Sequence, residues 1–335
     1  MFSNTTSKLA LGVGYFNIYF IWGATFIAIT YGLASFPPFI LTGLRFFIAG
    51  VLLFAFRAFK GDSLFNLNSW LKNGVVGLLI LTLGTGLLVW AEQFVSATEA
   101  AVAIGAGPFW FILIDKKSWR VNFRNPFLLT GFLIGFTGLL VFLNSSILEE
   151  STVGFQQKLI AYVVLALSSI SWVLGSLFSR KHKPDQPFLL NSAQQLIIAG
   201  LGAFLFASFK GEWSTWNYAD LQLSAVSGLA FLIFFGSIIA YISYTWLLTK
   251  QPPSRVSTHT FVNPIVAALL SYALFQTQLN AYQIFAFILI LVGVIFINVK
   301  WSPASFRYFK IKYNRQLNVL KRISIPYGAY INNIW

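Results

Sequence analysis

Residues 38–56 have the sequence PFILTGLRFFIAGVLLFAF, in which Arg45 is the single charged side chain. A helix needs roughly 20 mostly apolar residues to cross a hydrocarbon core about 30 Å thick, with its backbone polar groups bonded internally. This run therefore predicts a membrane-spanning helix. Similar runs precede and follow it, so we expect ten spans, at 9–31, 38–56, 73–93, 98–114, 127–144, 159–178, 188–209, 223–248, 256–275 and 282–299.

The composition agrees with a membrane protein. Of the 335 residues, 57% are hydrophobic and only 10% are charged, whereas about 25% are charged in soluble domains. The predicted fold class is an all-α membrane protein. The net charge of +14 does not indicate nucleic-acid binding, because the basic residues lie in short loops and a tail and not on one folded face. The absence of cysteine excludes disulfides and thiol chemistry.

The basic residues indicate the orientation, because Lys and Arg in short loops favour the cytoplasmic side. One side of the predicted membrane collects nearly all of them: Lys8, Arg57, Lys60, Lys72, Lys116, Lys117, Arg120, Arg124, Arg180, Lys181, Lys183, Lys250, Arg255 and the tail. The other side has Lys158 and Lys210. We expect both termini in the cytoplasm, in a bacterial inner membrane, with the first run retained as a span and not cleaved as a signal peptide. The tail, 300–335, is expected to lie on the anionic membrane lipids.

The chain resembles two copies of one unit. Trp172 lies 150 residues after Trp22, and the run QLIIAG at 195–200 lies 150 residues after RFFIAG at 45–50. Pro108 similarly has a counterpart in Pro264. Apolar runs also match by chance, but the shared spacing favours a true repeat. Since each copy has five spans, the second enters the membrane from the other side. The predicted units are two inverted five-helix repeats, 9–144 and 159–299, followed by the tail.

Several motifs carry a family resemblance. They are Trp22-Gly23, the 38–50 segment, WAEQ at 90–93, the 108–115 run and FVNP at 261–264. With these motifs, residues 9 to about 299 resemble an EamA-type transporter of the drug/metabolite transporter superfamily, and WAEQ with Asp115 resembles its YedA-like inner-membrane exporters. The resemblance implies export or exchange of amino acids, metabolites or amphipathic drugs. Many relatives have Gly-Glu at the ends of spans four and nine, where this chain has Ile114-Asp115 and Phe275-Gln276. The resemblance therefore implies no role for an acidic group at the end of span nine, because Gln276 has no carboxyl group.

Arg45 is the leading candidate for substrate binding, because ionisable groups inside a membrane usually mark a solute path or a paired site. It would hold an anionic group such as a carboxylate. The alternative is a structural tie to helix carbonyls or a side chain that reaches the interface. Gln195 occupies the equivalent position in the second repeat.

Three titratable residues are candidates for proton coupling. Glu92 and Glu99 flank the ends of spans three and four, where partial burial would favour a bound proton, although a solvated acidic loop is the alternative. His259 lies one turn before Asn263 and titrates near neutral pH when unperturbed. A hydrogen-bonded packing role is the alternative for this histidine.

Prolines and aromatic residues complete the candidate substrate site. Pro108 and Pro264 are predicted near the midplane, where freed carbonyls beside Asn263 would bind a polar group, or where the prolines form passive kinks. Aromatic side chains would wall the cavity and favour apolar or cationic amphipathic solutes, although interfacial belts and lipid contact also explain such rings. These are Trp22, Trp90, Trp172, Tyr241 and Tyr244.

The sequence favours a secondary transporter that works by alternating access, with no cofactor and no metal. It has no Walker-type loop for ATP, so a gradient would supply the energy. A membrane enzyme would need nucleophiles, carboxylates or metal ligands gathered at one depth, which two His and nine acidic residues spread mainly through loops do not favour. A receptor or assembly subunit is the remaining alternative. The expected partners are a small-molecule substrate and membrane lipids, and a homodimer is left open.

Overall fold

The computed structural model describes residues 7–147, 153–182, 186–251 and 253–298. Its long helical segments are α1 (Lys8–Leu33), α2 (Pro38–Phe59), α3 (Leu67–Ala91), α4 (Ala97–Ile114), α5 (Pro126–Ile147), α6 (Phe155–Lys181), α7 (Phe188–Phe209), α8 (Leu223–Lys250), α9 (His259–Phe275) and α10 (Ala281–Asn298). Seven of them are long and apolar enough to cross a membrane, and α5, α9 and α10 contribute shorter apolar stretches. The predicted all-helical fold is confirmed. The basic tail lies outside the described residues.

Local sequence explains where the helices begin. The Ser7 side chain accepts a hydrogen bond from the Leu9 N–H and starts α1, and the Asn66 side chain accepts from the Ser69 N–H and starts α3. Such caps satisfy backbone donors that have no partner inside the helix. The Asn66 cap explains why α3 begins six residues before the predicted span, because it stabilises a first helical turn that contains polar residues.

The fourth span is broken, which the sequence analysis did not predict. Its first segment ends at Ile104 and its second begins at Gly107, with a turn at 105–106 between them. Pro108 lies in the first turn of the second segment, where its missing N–H removes no helical bond. The expectation that Pro108 breaks a bond inside a continuous helix is therefore wrong, whereas Pro264 does lie inside α9.

Helices α2 and α7 are equivalent from end to end. Each has 22 residues and follows a proline, Pro37 or Pro187, that occupies the N-cap. Each ends in the triplet Phe-Lys-Gly, at 59–61 and at 209–211. The glycines have φ of 81° and 69°, a left-handed conformation that a residue with a side chain rarely adopts. This triplet extends the repeat beyond the matches used above.

Reciprocal packing relates the two halves. A Cβ on Gly50 would lie 2.6 Å from the Ile197 nitrogen, and a Cβ on Gly200 would lie 2.6 Å from the Phe47 nitrogen. Helices α5 and α10 repeat the pattern, since a Cβ on Gly131 would lie 2.5 Å from the Gly293 oxygen and one on Gly293 would lie 2.6 Å from the Gly131 oxygen. Paired contacts of this kind are those of two related units packed about a two-fold axis. With five helices in each unit, the fold is the predicted inverted repeat.

Helices α3 and α8 share an uncommon local geometry. Each contains a nine-residue π-helical stretch, Gly77–Thr85 in α3 and Leu232–Ala240 in α8. A shorter one, Asn17–Ile21, lies in α1. Such stretches are rare and occur often at functional sites, because they leave some backbone carbonyls without a regular helical partner.

The two halves contact each other at both ends of the bundle. We call the end with the α2–α3 and α6–α7 connections the basic face, and the end with the α1–α2 and α7–α8 connections the opposite face. At the opposite face, Trp216 Nε1 donates to the Ser35 carbonyl at 2.9 Å. At the basic face, Gln186 Nε2 donates to the Ser63 carbonyl at 3.1 Å. The two halves are therefore hydrogen-bonded to each other at both faces.

Candidate functional site

A cavity of about 80 Å³ lies between the two halves. Its lining comes from α1, α2, α3, α4, α6 and α9 and includes Trp22, Thr25, Arg45, Leu88, Ser168, Ser169, Trp172, His259, Thr260 and Asn263. A space of this size holds several water molecules. Residues of the first repeat thus meet residues of the second around one cavity.

The rings of Trp22, Trp172 and His259 line this cavity, and the ring of Tyr244 packs against all three. The Trp22 ring lies 5.4 Å from Trp172, 5.1 Å from Tyr244 and 4.9 Å from His259, measured between ring centroids. Trp22 and Trp172 are nearly perpendicular, at 87°. Edge-to-face arrangements of this kind stabilise aromatic clusters beyond simple burial. The predicted approach of Trp22 and Trp172 to one cavity agrees with this geometry.

Hydrogen bonds fix the orientation of these rings. Trp22 Nε1 donates to the Gly236 carbonyl in the π-helical part of α8 at 3.1 Å. Trp172 Nε1 donates to the Tyr244 hydroxyl at 2.9 Å, and Ser176 Oγ lies 2.8 Å from the same hydroxyl. Because the polar atoms of both indoles point away to protein partners, the rings present apolar surface to the cavity.

His259 is buried and lies beside the indole of Trp22. Its Nδ1 is 2.9 Å from the Val256 carbonyl. A proton on Nδ1 makes this contact a hydrogen bond and leaves Nε2 as an acceptor. The packing role and the proton-relay role proposed for this residue are both compatible with its place in the cavity lining.

Asn263 joins α9 to the π-helical part of α1. With its side-chain amide oriented so that the nitrogen faces them, Asn263 lies within hydrogen-bond distance of the carbonyls of His259 at 2.9 Å, Tyr19 at 3.0 Å and Ile18 at 3.1 Å, which share its two N–H donors. The π-helical geometry exposes the Ile18 and Tyr19 carbonyls to this donor. Pro264 follows on the same buried face of α9. The amide nitrogen is thus occupied by protein carbonyls.

Arg45 is buried at 3% exposure and lines the cavity. Its Nε donates to Ser237 Oγ at 3.3 Å, and its guanidinium carbon lies 4.7 Å from the centroid of the Phe46 ring. Within the described residues, Nη1 has no hydrogen-bond partner. A guanidinium with an unused buried donor is an incomplete site, since buried charges are normally paired and fully hydrogen-bonded.

Glu92 is the nearby charge of opposite sign. It is 9% exposed, and neither of its oxygens has a hydrogen-bond partner within the described part of the chain. It acts electrostatically on Arg45, yet the ion pairs of 4.0 Å or less among the described residues do not include the two. Glu92 lies one helical turn after Leu88, which lines the cavity. It is therefore not the solvated loop residue considered as the alternative.

Glu99 has a different environment from Glu92. It completes a capping box with Ser96 at the start of α4. Tyr162 Oη donates to its Oε1 at 2.8 Å, and Lys158 Nζ lies 3.9 Å from the same oxygen. Glu99 thus ties α4 to α6 at the opposite face.

The remaining sequence-predicted residues lie outside the central cavity. Trp90 lines a pocket at the opposite face, where Lys210 Nζ is 5.9 Å from its ring centroid. Gln195 lines a pocket at the basic face and accepts a hydrogen bond from Tyr241 Oη at 2.7 Å. Pro108 is buried in α4 without lining the central cavity. Although Arg45 and Gln195 occupy equivalent positions in the two repeats, Arg45 lines the central cavity and Gln195 lines the pocket at the basic face.

A buried amide network was missed by the sequence analysis. Asn73 Nδ2 donates to Asn191 Oδ1 at 2.9 Å and to Gln194 Oε1 at 2.7 Å, and Asn73 Oδ1 accepts from Gln195 Nε2 at 2.8 Å. Polar residues inside predicted spans were the available signal. The same signal marks Ser168 and Ser169, which line the cavity from α6.

A comparison with protein families identifies the fold. The model of the EamA-like transporter family matches residues 14–144 and 159–299. The chain belongs to the EamA-like transporter family. This family consists of membrane transporters and not enzymes, as the motifs predicted, and its two matched segments coincide with the two halves of the bundle. As an EamA-like protein, the chain is an integral membrane transporter, which implies a small-molecule substrate.

Individual relatives agree with this assignment. The chain is 30% identical over 286 residues to the uncharacterized inner membrane transporter YedA of Escherichia coli (strain K12), covering 85% of this chain and 89% of YedA. It is 24% identical to a probable amino-acid metabolite efflux pump of the same strain, covering 85% and 94% of the two chains. A solved crystal structure with 18% identity superposes with a TM-score of 0.65, covering 88% of this chain and 98% of that one.

Proposed function

We propose that this EamA-like protein is a secondary transporter that exports a small organic solute through the central cavity by alternating access between its two halves. The observation that carries the proposal is the cavity at the junction of two inverted repeats, the arrangement in which secondary transporters bind their substrates. A relative at 24% identity is named as a probable amino-acid metabolite efflux pump, which supports the outward direction.

The cavity suits a solute with an apolar body and an anionic group. Trp22 and Trp172 supply flat apolar surface, and the Arg45 guanidinium offers an unused donor for a carboxylate. A guanidinium is well suited to this task because its fork of N–H groups matches a carboxylate. Thr25, Ser168 and Ser169 supply hydroxyls for the polar remainder of the solute.

The contacts between the halves at the two faces would supply the gates. The Trp216–Ser35 bond and the Gln186–Ser63 bond join opposite halves at opposite ends. A rocking motion of one repeat against the other would break the contacts at one face while keeping those at the other face. This motion is the usual basis of alternating access. The distribution of Lys and Arg favours an orientation with the basic face toward the cytoplasm. In a bacterial inner membrane, opening at that face would then load the solute from the cytoplasm.

The test is solute movement by the purified full chain in proteoliposomes, after a metabolite survey of overexpressing cells and their medium has identified the exported solute. We expect wild-type protein to move that solute and Arg45→Gln to slow it about tenfold or more, since one buried charge-assisted hydrogen bond contributes about 1.5–3 kcal/mol. Arg57→Gln is the matched control, because Arg57 pairs with Asp62 at the basic face, away from the cavity. Absence of any flux would favour the receptor or assembly-subunit alternative.

A further inference from the structure

A second pocket lies at the basic face and is separate from the central cavity. Its volume is about 630 Å³, and we call it the basic-face pocket. It lies between the end of α6, the start of α7 and the end of α8, so its described lining belongs to the second repeat alone. The basic-face pocket and the central cavity share no lining residue within the described part of the chain. The basic-face pocket therefore needs an explanation of its own.

The lining of the basic-face pocket is positively charged. Arg180 at the end of α6 and Lys250 at the end of α8 both line it, and both are exposed. Among the residues that the structure describes, the lining contains no carboxylate, and neither basic side chain forms an ion pair of 4.0 Å or less. Basic pockets between membrane helices at the cytoplasmic side bind phosphate-bearing headgroups. The charge of this lining thus indicates an anionic ligand.

Two buried amides add hydrogen-bond donors to the same pocket. Asn191 and Gln195 line it from α7 and are 8% and 5% exposed. Asn191 Nδ2 donates to the Gln186 carbonyl at 2.9 Å, and Gln195 Nε2 donates to Asn73 Oδ1 at 2.8 Å. An amide nitrogen carries two hydrogens, and these bonds use one on each. The second N–H of each amide has no partner within the described ranges, so it is available to a ligand oxygen.

The first repeat has an equivalent pocket at the opposite face. Phe36 and Pro38 line that pocket at the start of α2. The residues 150 positions later, Gln186 and Phe188, line the basic-face pocket at the start of α7. This is the spacing that relates α2 to α7 along their whole length. The two pockets are therefore the same feature of the repeat, at opposite ends of the bundle.

A carboxylate of the chain itself fills the pocket at the opposite face. Glu212 lines it and accepts hydrogen bonds from the N–H groups of Phe39 and Ile40. Asp62 lies 150 residues before Glu212, but it pairs with Arg57 and does not line the basic-face pocket. No side chain among the described residues caps the start of α7. The carboxylate that completes the first pocket thus has no counterpart in the described lining of the second.

We propose that the basic-face pocket is a binding site for a phosphate group, held by the side chains of Arg180 and Lys250 and by the free amide N–H groups of Asn191 and Gln195. A phosphate carries one or two negative charges and several acceptor oxygens, which match two cations and two amide donors. The volume of about 630 Å³ leaves space for the molecule that bears the phosphate. An anionic lipid headgroup and a soluble phosphate ester share this chemistry.

Binding at this pocket has a structural consequence that goes beyond solute export. The ligand would join the ends of α6, α7 and α8. It would also lie beside Gln186, which lines the pocket and donates to the Ser63 carbonyl of the first repeat. Because only the folded protein offers this site, its occupancy should stabilise the fold.

The experiment measures binding to the purified full chain in two arms. The first arm uses nanodiscs of phosphatidylcholine, to which inorganic phosphate or glycerol 3-phosphate is added, and records calorimetric binding and the unfolding temperature. The second arm counts phosphatidylglycerol molecules retained from mixed phosphatidylglycerol and phosphatidylcholine, by native mass spectrometry. We expect one saturable site per chain in at least one arm, and an unfolding temperature that rises with ligand concentration.

Three variants and one control assign the binding to the pocket. Arg180→Gln and Lys250→Gln should each weaken it about tenfold, because each removes a charge-assisted hydrogen bond. Ser179→Phe should weaken it without a change of charge, because Ser179 lines the pocket and the larger ring occupies part of the space. Lys181→Gln is the matched control, since Lys181 is exposed beside Arg180 and does not line the pocket. The basic tail is present in every variant and contributes equally.

The two arms distinguish the sources of the phosphate. Saturable glycerol 3-phosphate binding that the three variants weaken identifies a soluble ester, and preferential retention of phosphatidylglycerol that they weaken identifies a lipid. Absence of binding in both arms, with folded protein, would overturn the proposal. An equal loss in Lys181→Gln would also overturn it, because it indicates a general attraction to the basic face. Solute flux through the central cavity is measured separately, so either failure leaves the transporter proposal standing.

Discussion

At the scale of single residues, Glu212 illustrates how a loop side chain organises a helix in the other repeat. Its carboxylate accepts hydrogen bonds at 3.0 Å from the backbone N–H groups of Phe39 and Ile40, at the start of α2. Burial raises the pKa of Glu212 above its ordinary value of 4.5, although the two N–H donors and Lys210 act in the other direction. Glu212 therefore caps α2, and its burial makes the charged form of the carboxyl group less favourable.

We predict that Glu212→Gln changes the pH dependence of stability. With a raised pKa, the folded protein binds this proton more tightly than the unfolded chain, so the contribution of Glu212 declines as the pH rises from about 4.5 through the raised pKa. Gln keeps an acceptor oxygen without the charge and should lack this decline. Glu212→Ala, which loses the cap, should cost about 0.5–2 kcal/mol.

Thermal unfolding in detergent between pH 4 and 8 checks this prediction. Asp220→Asn is the matched control, because Asp220 is an exposed carboxyl in the same connection. It should retain the wild-type profile. Identical pH profiles for Glu212→Gln and wild type would contradict the assignment.

At the scale of helices, the crossing of α2 and α7 depends on two equivalent glycines. Gly50 and Gly200 each face backbone of the other helix, with no space for a methyl group. Small residues permit such close approach of membrane helices, where packing replaces the hydrophobic effect as the source of association. The closeness of α2 and α7 places Arg45 against the middle of the bundle.

We predict that Gly50→Ala and Gly200→Ala each destabilise the protein by about 1–3 kcal/mol, because the added methyl must separate the helices. Gly12→Ala in α1 is the matched control, since a Cβ there meets no atom within 4 Å. It should be neutral or stabilising by up to about 1 kcal/mol through helix propensity. Thermal unfolding in detergent measures all three, and equal effects at the three sites would refute the tight crossing.

At the scale of the whole molecule, the inverted architecture predicts which loops share a side of the membrane. The natural chain has no cysteine, so single cysteines need no background substitutions. A membrane-impermeant maleimide should label Asn217→Cys on intact cells, because Asn217 is exposed at the opposite face. Ser63→Cys at the basic face should react only after permeabilisation. Labelling of both variants on intact cells would contradict the predicted topology.

The placement of some candidate residues could be predicted because their patterns are local or repeated. Trp22 and Trp172 were assigned to one cavity from their equal places in the repeats, and the structure brings their rings together. Arg45 stood out because a charge inside an apolar run is rare. Trp90 and Gln195 were also proposed for the substrate site, but they line pockets at the two ends of the bundle. Their positions in the sequence do not indicate how far along the bundle they lie from the cavity.

The sequence by itself determined that the chain is a membrane protein, that ten apolar runs form the long helical segments of its described part and that its halves are inverted. These properties follow from the length of apolar runs and the parity of the repeats, both of which are read along the chain. Only the tertiary structure decided that both Glu92 oxygens are buried with no hydrogen-bond partner among the described residues, whereas Glu99 is held by Tyr162 and Lys158. Partners of this kind come from different helices, and their pairing depends on helix rotation and packing depth, which hydropathy does not encode.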